Sequence, residues 1–178
     1  MVNASLREGR LPPPQKHTVI SPPLKETRYR RRRVEELPVS NLTFMSKLVE
    51  RVVAKRLVGY LDEHRLMPQL QSAYRRHHST ETALLNVMSD VYASVDRQQV
   101  TLLALLDLSA PFDCVDHDVL LRRLFTRFGI KGTALCWISS FLLWRSQRVY
   151  YKGQLSAVLC LLYGVPQGSV LRPILFLL

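Results

Sequence analysis

Cysteine is scarce in this sequence: Cys114, Cys136 and Cys160 are the three in 178 residues. Their spacings match no zinc or redox pattern and their number is odd, so neither a disulfide framework nor a cysteine metal centre is indicated. A reducing compartment is expected, with three small buried hydrophobes and no disulfide partner. The five histidines add no ligand set, since His77-His78 has no partner at metal spacing. Acid is also in short supply. Fourteen Asp and Glu face twenty-five Lys and Arg, which leaves a formal charge of +11 and a sequence pI of about 10.1. A balance that basic favours a polyanionic partner, nucleic acid before an anionic membrane surface. The ordinary alternative is a solvated face with no partner.

Long apolar runs are missing too. Residues Met1 to Pro14 contain charge but no apolar stretch, so no secretory signal is read there and the expected location is nucleus or cytoplasm. The most apolar segment, Leu155 to Leu178, is interrupted by Gly164, Pro166, Gln167, Gly168, Arg172 and Pro173. It makes a poor membrane span, and no membrane partner is expected. There is no internal repeat. What is present is 47% hydrophobic residues, enough for a core and too many for a chain disordered throughout.

Residues 1–37 read as a basic, Pro-containing arm, irregular over 1–27, with a short edge strand at Val19-Ile20-Ser21. Arg28, Arg30, Arg31, Arg32 and Arg33 make its densest charge run. That run reads either as a phosphate-contacting arm or nuclear localisation signal, or as a solvated loop. A helix is predicted over 45–64. Leu48, Val49, Val52, Val53, Leu57, Tyr60 and Leu61 form its apolar stripe, and Lys47, Glu50, Arg51, Lys55 and Arg56 lie on the other face. Pro68 follows as a stop signal. A second helix is predicted from Ser79, its N-cap, to Asp96, with Leu84, Leu85, Met88, Val91, Tyr92 and Val95 buried. Val100 to Leu106 reads as a strand buried on both faces. Helices over 116–128 and 133–144 follow, then a hairpin turning at Lys152-Gly153.

The chemistry concentrates in Leu105-Leu106-Asp107-Leu108-Ser109-Ala110-Pro111-Phe112-Asp113. It offers an acid at a strand end, a turn, an aromatic and a second acid. Such a segment is common when taken alone. It stands, however, in an ordered set: Pro38-Val39-Ser40-Asn41-Leu42, Gln71-Ser72-Ala73-Tyr74-Arg75, Ser79-Thr80-Glu81-Thr82-Ala83-Leu84, the Asp107 segment, Val115-Asp116-His117, and Tyr163-Gly164-Val165-Pro166-Gln167-Gly168-Ser169-Val170-Leu171. In that order the segments resemble the reverse transcriptase domain of non-LTR (LINE-type, jockey-like) retrotransposons, over nearly the whole chain and most firmly from Pro38 onward.

The resemblance implies an α+β fold: a partial right-hand polymerase with helical fingers over 38–99 and, over 100–178, a truncated palm of antiparallel sheet and packed helices. It implies RNA-directed DNA synthesis, with an RNA template, a DNA primer and a deoxynucleotide as partners and Mg²⁺ as cofactor, two ions clamping the attacking and leaving oxygens. Asp107 matches the first metal carboxylate, and the Leu108 carbonyl the group that helps hold an ion. Phe112 matches the ring that excludes a 2′-hydroxyl. Gln167 and Gly168 match the loop lining the incoming nucleotide and template base. Arg75 matches a phosphate-binding fingers residue.

Read from the residues alone, Asp107 serves equally as a turn cap and Phe112 as a core aromatic. Tyr74 is a packed tyrosine or a base-stacking one. Asp113 and Asp116 read as helix caps and His117 as a structural hydrogen-bonding residue.

Several positions depart from the family. Its second active-site element, a hairpin with two adjacent aspartates, has no counterpart: no Asp-Asp pair occurs in the sequence, which ends at Leu178. One carboxylate cannot hold two Mg²⁺ ions against a triphosphate, so the expectation is a truncated domain, inactive alone. Glu36-Leu37 stand where the family has Tyr-Arg, Pro111 and His77 replace a small residue and a glycine, and Arg172 replaces the glycine after Val170-Leu171. Two other readings follow: a non-catalytic nucleic-acid-binding remnant, or a decayed open reading frame without function.

Overall fold

The computed structural model of the chain describes residues 1–21, 39–108 and 110–178. The arginine run lies outside the described residues. The chain divides into two compact units, one of residues 1–60 and 110–178 and the other of residues 61–109.

The first unit contains five strands: β1 is His17–Ser21, β2 Val39–Asn41, β3 Arg145–Tyr151, β4 Gln154–Leu155 and β5 Leu159–Leu161. They form one sheet in the order β2-β1-β3-β4, with β5 also on β3. β1 runs antiparallel to β2 (Val19 opposite Asn41) and parallel to β3 (Ile20 opposite Val149). The expected edge strand at 19–21 is therefore an inner strand, and the expected antiparallel sheet is mixed. A parallel neighbour needs a long crossover; here β1 and β3 are far apart in sequence, a pairing that local patterning cannot reveal. The predicted hairpin is present. Lys152 and Gly153 take φ values of 47° and 81°, the left-handed pair that a two-residue turn between right-twisted strands requires. β4 and β5 are two pieces of its return arm.

The expected irregular start is also more ordered than proline content suggested. Residues Val2–Glu8 form helix α1, ended by Gly9 in left-handed conformation, and Pro13–Lys16 form a 3₁₀ turn leading into β1. Proline at the first positions of such a turn helps it, because the missing N–H has no partner there. α1 packs on α5, Gly132–Leu142. The indole of Trp137 donates to the Ser5 hydroxyl at 3.0 Å, and that hydroxyl donates to the Arg10 carbonyl at 2.6 Å. Trp137, Ile138, Phe141 and Leu142 give α5 its buried face. They pack with Leu120 and Leu124 of α4, His117–Thr126, in the core of the unit. α4 starts on Asp116, whose carboxylate accepts from Val119 N at 2.9 Å.

Helix α2 is Phe44–Glu63, within a residue of the predicted span. Val49, Ala54, Leu57 and Leu61 are buried. Glu50 overturns the face assignment: it is fully buried, together with Ser46. The last helix, α6, is Arg172–Leu177.

In the second unit, α3 spans Thr80–Asp96 behind the predicted Ser79 cap. Its hydroxyl accepts from Thr82 N at 3.1 Å and Thr82 Oγ1 accepts from Ser79 N at 2.9 Å, a closed capping box. The predicted stripe is not buried: Leu84, Leu85, Tyr92 and Val95 are each at least 60% exposed. The predicted strand at Val100–Leu106 is not a strand either, and Val100, Leu102 and Leu106 are over 90% exposed. A strand exists only by pairing, and no described strand offers this segment an edge. The cysteines, expected to be small buried hydrophobes, are all three exposed. Among the described residues no helix is long and apolar enough to cross a membrane.

Candidate functional site

The segment Tyr163–Leu171 is built by backbone rules before any chemistry enters. Ser169 N donates to Pro166 O at 3.1 Å, closing a four-residue turn. Gly168 occupies its third position at φ 80°, a left-handed value that glycine reaches without strain. Gly164, at φ 78°, lies against the Asp113 backbone so closely that a Cβ would sit 2.9 Å from Asp113 Cα and O. No other residue fits that approach.

Hydrogen bonds then tie this loop to the segment after Ala110. Gly164 N donates to Val115 O at 2.8 Å and Val165 N to Phe112 O at 3.0 Å. His117, buried, uses Nε2 on the Gly164 carbonyl at 2.8 Å, which is the structural role expected of it. Phe112 is thereby fixed beside the loop, half-buried, with Phe176 4.9 Å from its ring centre and the Arg172 guanidinium 4.9 Å above it. Arg172 also pairs with Asp113 at 2.8 Å. Asp113 is thus an ion-pair partner and not the helix cap expected; Asp116 alone caps α4. Ala110, before Pro111, is held at φ 46°, a strained value for a residue with a side chain.

A cavity of about 260 Å³ adjoins this loop, lined by Thr18, Ile20, Asp113, Gln147 and Gln167 among others. Thr18 Oγ1 is buried with no hydrogen-bond partner among the described residues. Among the described residues two amides, two hydroxyls and one carboxylate line it, and no lysine or arginine does. Its chemistry suits a neutral, hydrogen-bonding ligand face and not a phosphate. A larger cavity of about 470 Å³, lined by Leu6, Leu57 and Trp137 among others, is mostly apolar and touches none of the expected site residues.

The remaining expected residues fall in the other unit. Asp107 is exposed, and its carboxylate accepts from Leu108 N at 2.9 Å. Arg75 donates from Nη1 to the carbonyls of Pro68 and Gln69, both at 3.1 Å, and so braces its own loop. Tyr74 is 61% exposed and His77 holds φ 63°; the second is the strained turn that a residue in place of glycine implies. Arg75, Asp107 and Leu108 thus belong to one unit, and Phe112, Gln167 and Gly168 to the other. Among the described residues no three His, Cys, Asp or Glu side chains come together to hold a metal ion. The donor set does not fit two Mg²⁺ ions, which need shared carboxylates.

Glu50 and Arg145 are buried charged side chains of the unit that holds the Tyr163–Leu171 loop. Arg145 is 1% exposed and donates to the Phe141 carbonyl at 3.1 Å. Desolvation pulls its pKa down to about 10, against the opposing pull of Glu50. Lys16 is lowered as well, first by burial and then by the charges of Arg145 and Arg10. Sequence reasoning missed Glu50, Thr18, Gln147 and Arg172 as neighbours of this loop. Only Arg172 carried a signal, as a departure from the family's glycine.

Comparison with known proteins gives the context. Residues 35–178 match the family model described as reverse transcriptase (RNA-dependent DNA polymerase). The chain is 31% identical over 139 residues to the probable RNA-directed DNA polymerase from transposon BS of Drosophila melanogaster. It is 32% identical over 139 residues to the RNA-directed DNA polymerase from mobile element jockey of the same organism. Each alignment covers 78% of this chain and 15% of the relative. A third, to the probable RNA-directed DNA polymerase from transposon X-element, is 29% identical over 176 residues and covers 99% of this chain and 19% of the relative. The chain therefore spans less than a fifth of the length of these curated relatives.

Proposed function

This chain belongs to the reverse transcriptase (RNA-dependent DNA polymerase) family, and on that premise we propose that it supplies part of the substrate-facing surface of an RNA-directed DNA polymerase. The observation that carries the reading is the Pro166–Ser169 turn, pinned to the Phe112 segment and bordered by a cavity of hydrogen-bonding groups. Gln167 and Gly168 face the base of the template or incoming nucleotide. Phe112 is the ring that rejects a 2′-hydroxyl, with Arg172 and Phe176 holding it in place. Asp107 is the first metal carboxylate and Leu108 the adjacent carbonyl. In the same reading Arg75 binds phosphate and residues 38–99 and 100–178 correspond to fingers and palm. Arg28, Arg30, Arg31, Arg32 and Arg33 contact the nucleic-acid backbone.

The residues present supply one carboxylate for a chemistry that needs several, so the chain by itself is not a complete catalyst. A template–primer hybrid with Mg²⁺ and deoxynucleotides should give no extension above an Asp107→Ala control; extension above it would overturn that conclusion. The charge of +11 supports the accompanying binding role. The hybrid should bind with an affinity that falls steeply from low to moderate salt, because phosphate contacts release counterions. A flat salt dependence would sink the binding role while leaving the family assignment untouched.

A further inference from the structure

The apolar pattern of α2 puts Glu50 on its solvent face, yet it is fully buried. A buried carboxylate is costly unless hydrogen bonds surround it. Here three donors do so. Oε1 accepts from Ser46 Oγ at 2.9 Å, one helical turn earlier. Oε2 accepts from Ser169 Oγ at 2.7 Å and from Val170 N at 2.8 Å. Ser169 Oγ in turn accepts from Leu171 N at 3.1 Å. The two residues that Glu50 grips are those immediately after Gln167-Gly168. On the other side of the turn, Gly164 and Val165 are tied to Val115 and Phe112. The turn is therefore clamped at both ends, and its tip, exposed at Gly168 and half-buried at Gln167, is what remains to face outward.

We propose that Glu50 is a positioning residue that holds the Gln167-Gly168 turn in the orientation in which it meets the nucleic acid. The proposal rests on the reading that this turn faces a base. Every group pointing at Glu50 is a donor, so a carboxylate satisfies all three where an amide cannot unless Ser46 reorients to accept. Charge-assisted bonds of this kind are the strong class, and their loss leaves the Val170 N–H and Ser169 hydroxyl unpaired inside the protein. Glu50 also opposes the desolvation of Arg145, so a second variant that keeps its charge is needed. Ser169→Ala removes one donor and leaves both buried charges in place.

The test compares the full chain with its Glu50→Gln and Ser169→Ala variants in two measurements. Amide hydrogen exchange is followed in the 164–171 peptide and, as an internal control, in the 132–142 peptide. Cross-linking to the 164–171 peptide is followed with an RNA–DNA hybrid carrying a photoreactive thiopyrimidine. Exchange in 164–171 should rise about tenfold in both variants, the loss expected from one charge-assisted bond. Exchange in 132–142 should stay as in the parent. Cross-linking to 164–171 should fall severalfold while total hybrid binding, carried by the basic surface, is kept. Unchanged exchange in 164–171, or an equal rise in 132–142, would overturn the clamp. A looser turn with undiminished cross-linking would overturn the positioning role. Absence of any cross-link to this peptide in the parent chain would overturn the base-facing reading itself, and the exchange measurement would still decide whether Glu50 holds the turn.

Discussion

The two units use similar materials with opposite results. Residues 1–60 and 110–178 bury nearly all of the described hydrophobic core, including Val49, Leu124, Trp137, Phe141 and Leu171. In residues 61–109 only Leu61 is buried among the described residues, although Leu84, Leu85, Tyr92, Val100, Leu102 and Leu106 are as apolar as any core residue. Local signals are satisfied in both: α3 has a closed capping box and α4 an aspartate cap. Caps and propensity therefore make a helix in either unit, whereas burial needs a facing surface. A run of apolar residues is only a demand for such a surface.

The largest expected effect is Phe141→Ala. Phe141 is fully buried, stacked on Trp137 at 5.6 Å and lying under the Arg145 guanidinium. Truncation there should cost about 3–5 kcal/mol, measured as a lower urea midpoint; a change below about 1 kcal/mol would mean that the first unit is not organised around α5.

Next comes Arg145. Burial pulls its folded pKa down from the ordinary guanidinium value to about 10. Below pH 10 both states are charged and the burial cost is present in full. As pH rises above about 10 towards the ordinary guanidinium range, the folded state releases a proton that the unfolded chain retains, so this group contributes stability that grows with pH in that window and is lost as pH falls back through about 10. Relative to Arg145→Met, the parent chain should gain at most about 1.4 kcal/mol per pH unit there; parallel stability curves for the two would contradict the assignment.

Caps break the comparison most directly. Asp116→Ala and Ser79→Ala each remove a bond worth about 1 kcal/mol. Loss at Asp116 should lower the global unfolding midpoint, because Leu120 and Leu124 of α4 are in the core. Loss at Ser79 should reduce helical circular dichroism and leave the main transition in place. Equal midpoint shifts would show that α3 unfolds together with the first unit. Smallest of all, Leu85→Gln should change stability by less than about 0.5 kcal/mol and raise solubility, since the residue is 67% exposed. A loss typical of a core leucine would place it against a surface.

Much was legible in one dimension. The span of α2, the Ser79 and Asp116 caps, the Lys152-Gly153 turn and the structural role of His117 all follow from rules that act over four residues or fewer, or from a motif read residue by residue. The ordered motifs also carried the family, which the match over residues 35–178 bears out. The site was legible as a set of names but not as an arrangement. The charge pattern of α2 does not distinguish Glu50 from Arg51 or Lys55, and two of its three hydrogen-bond donors lie 119 and 120 residues away.

By itself the sequence determined what each segment could form, because helix caps, left-handed turns and apolar periodicity are local, and it determined the family, because ordered motifs survive without a fold. Only the tertiary structure decided which surfaces found a partner. It put β1 inside the sheet, sank Glu50 beneath the Gln167-Gly168 turn, and left the stripe of α3 and the run at Val100–Leu106 facing outward. The physical reason is that burial and pairing belong to two surfaces at once, and a sequence states only one of them at a time.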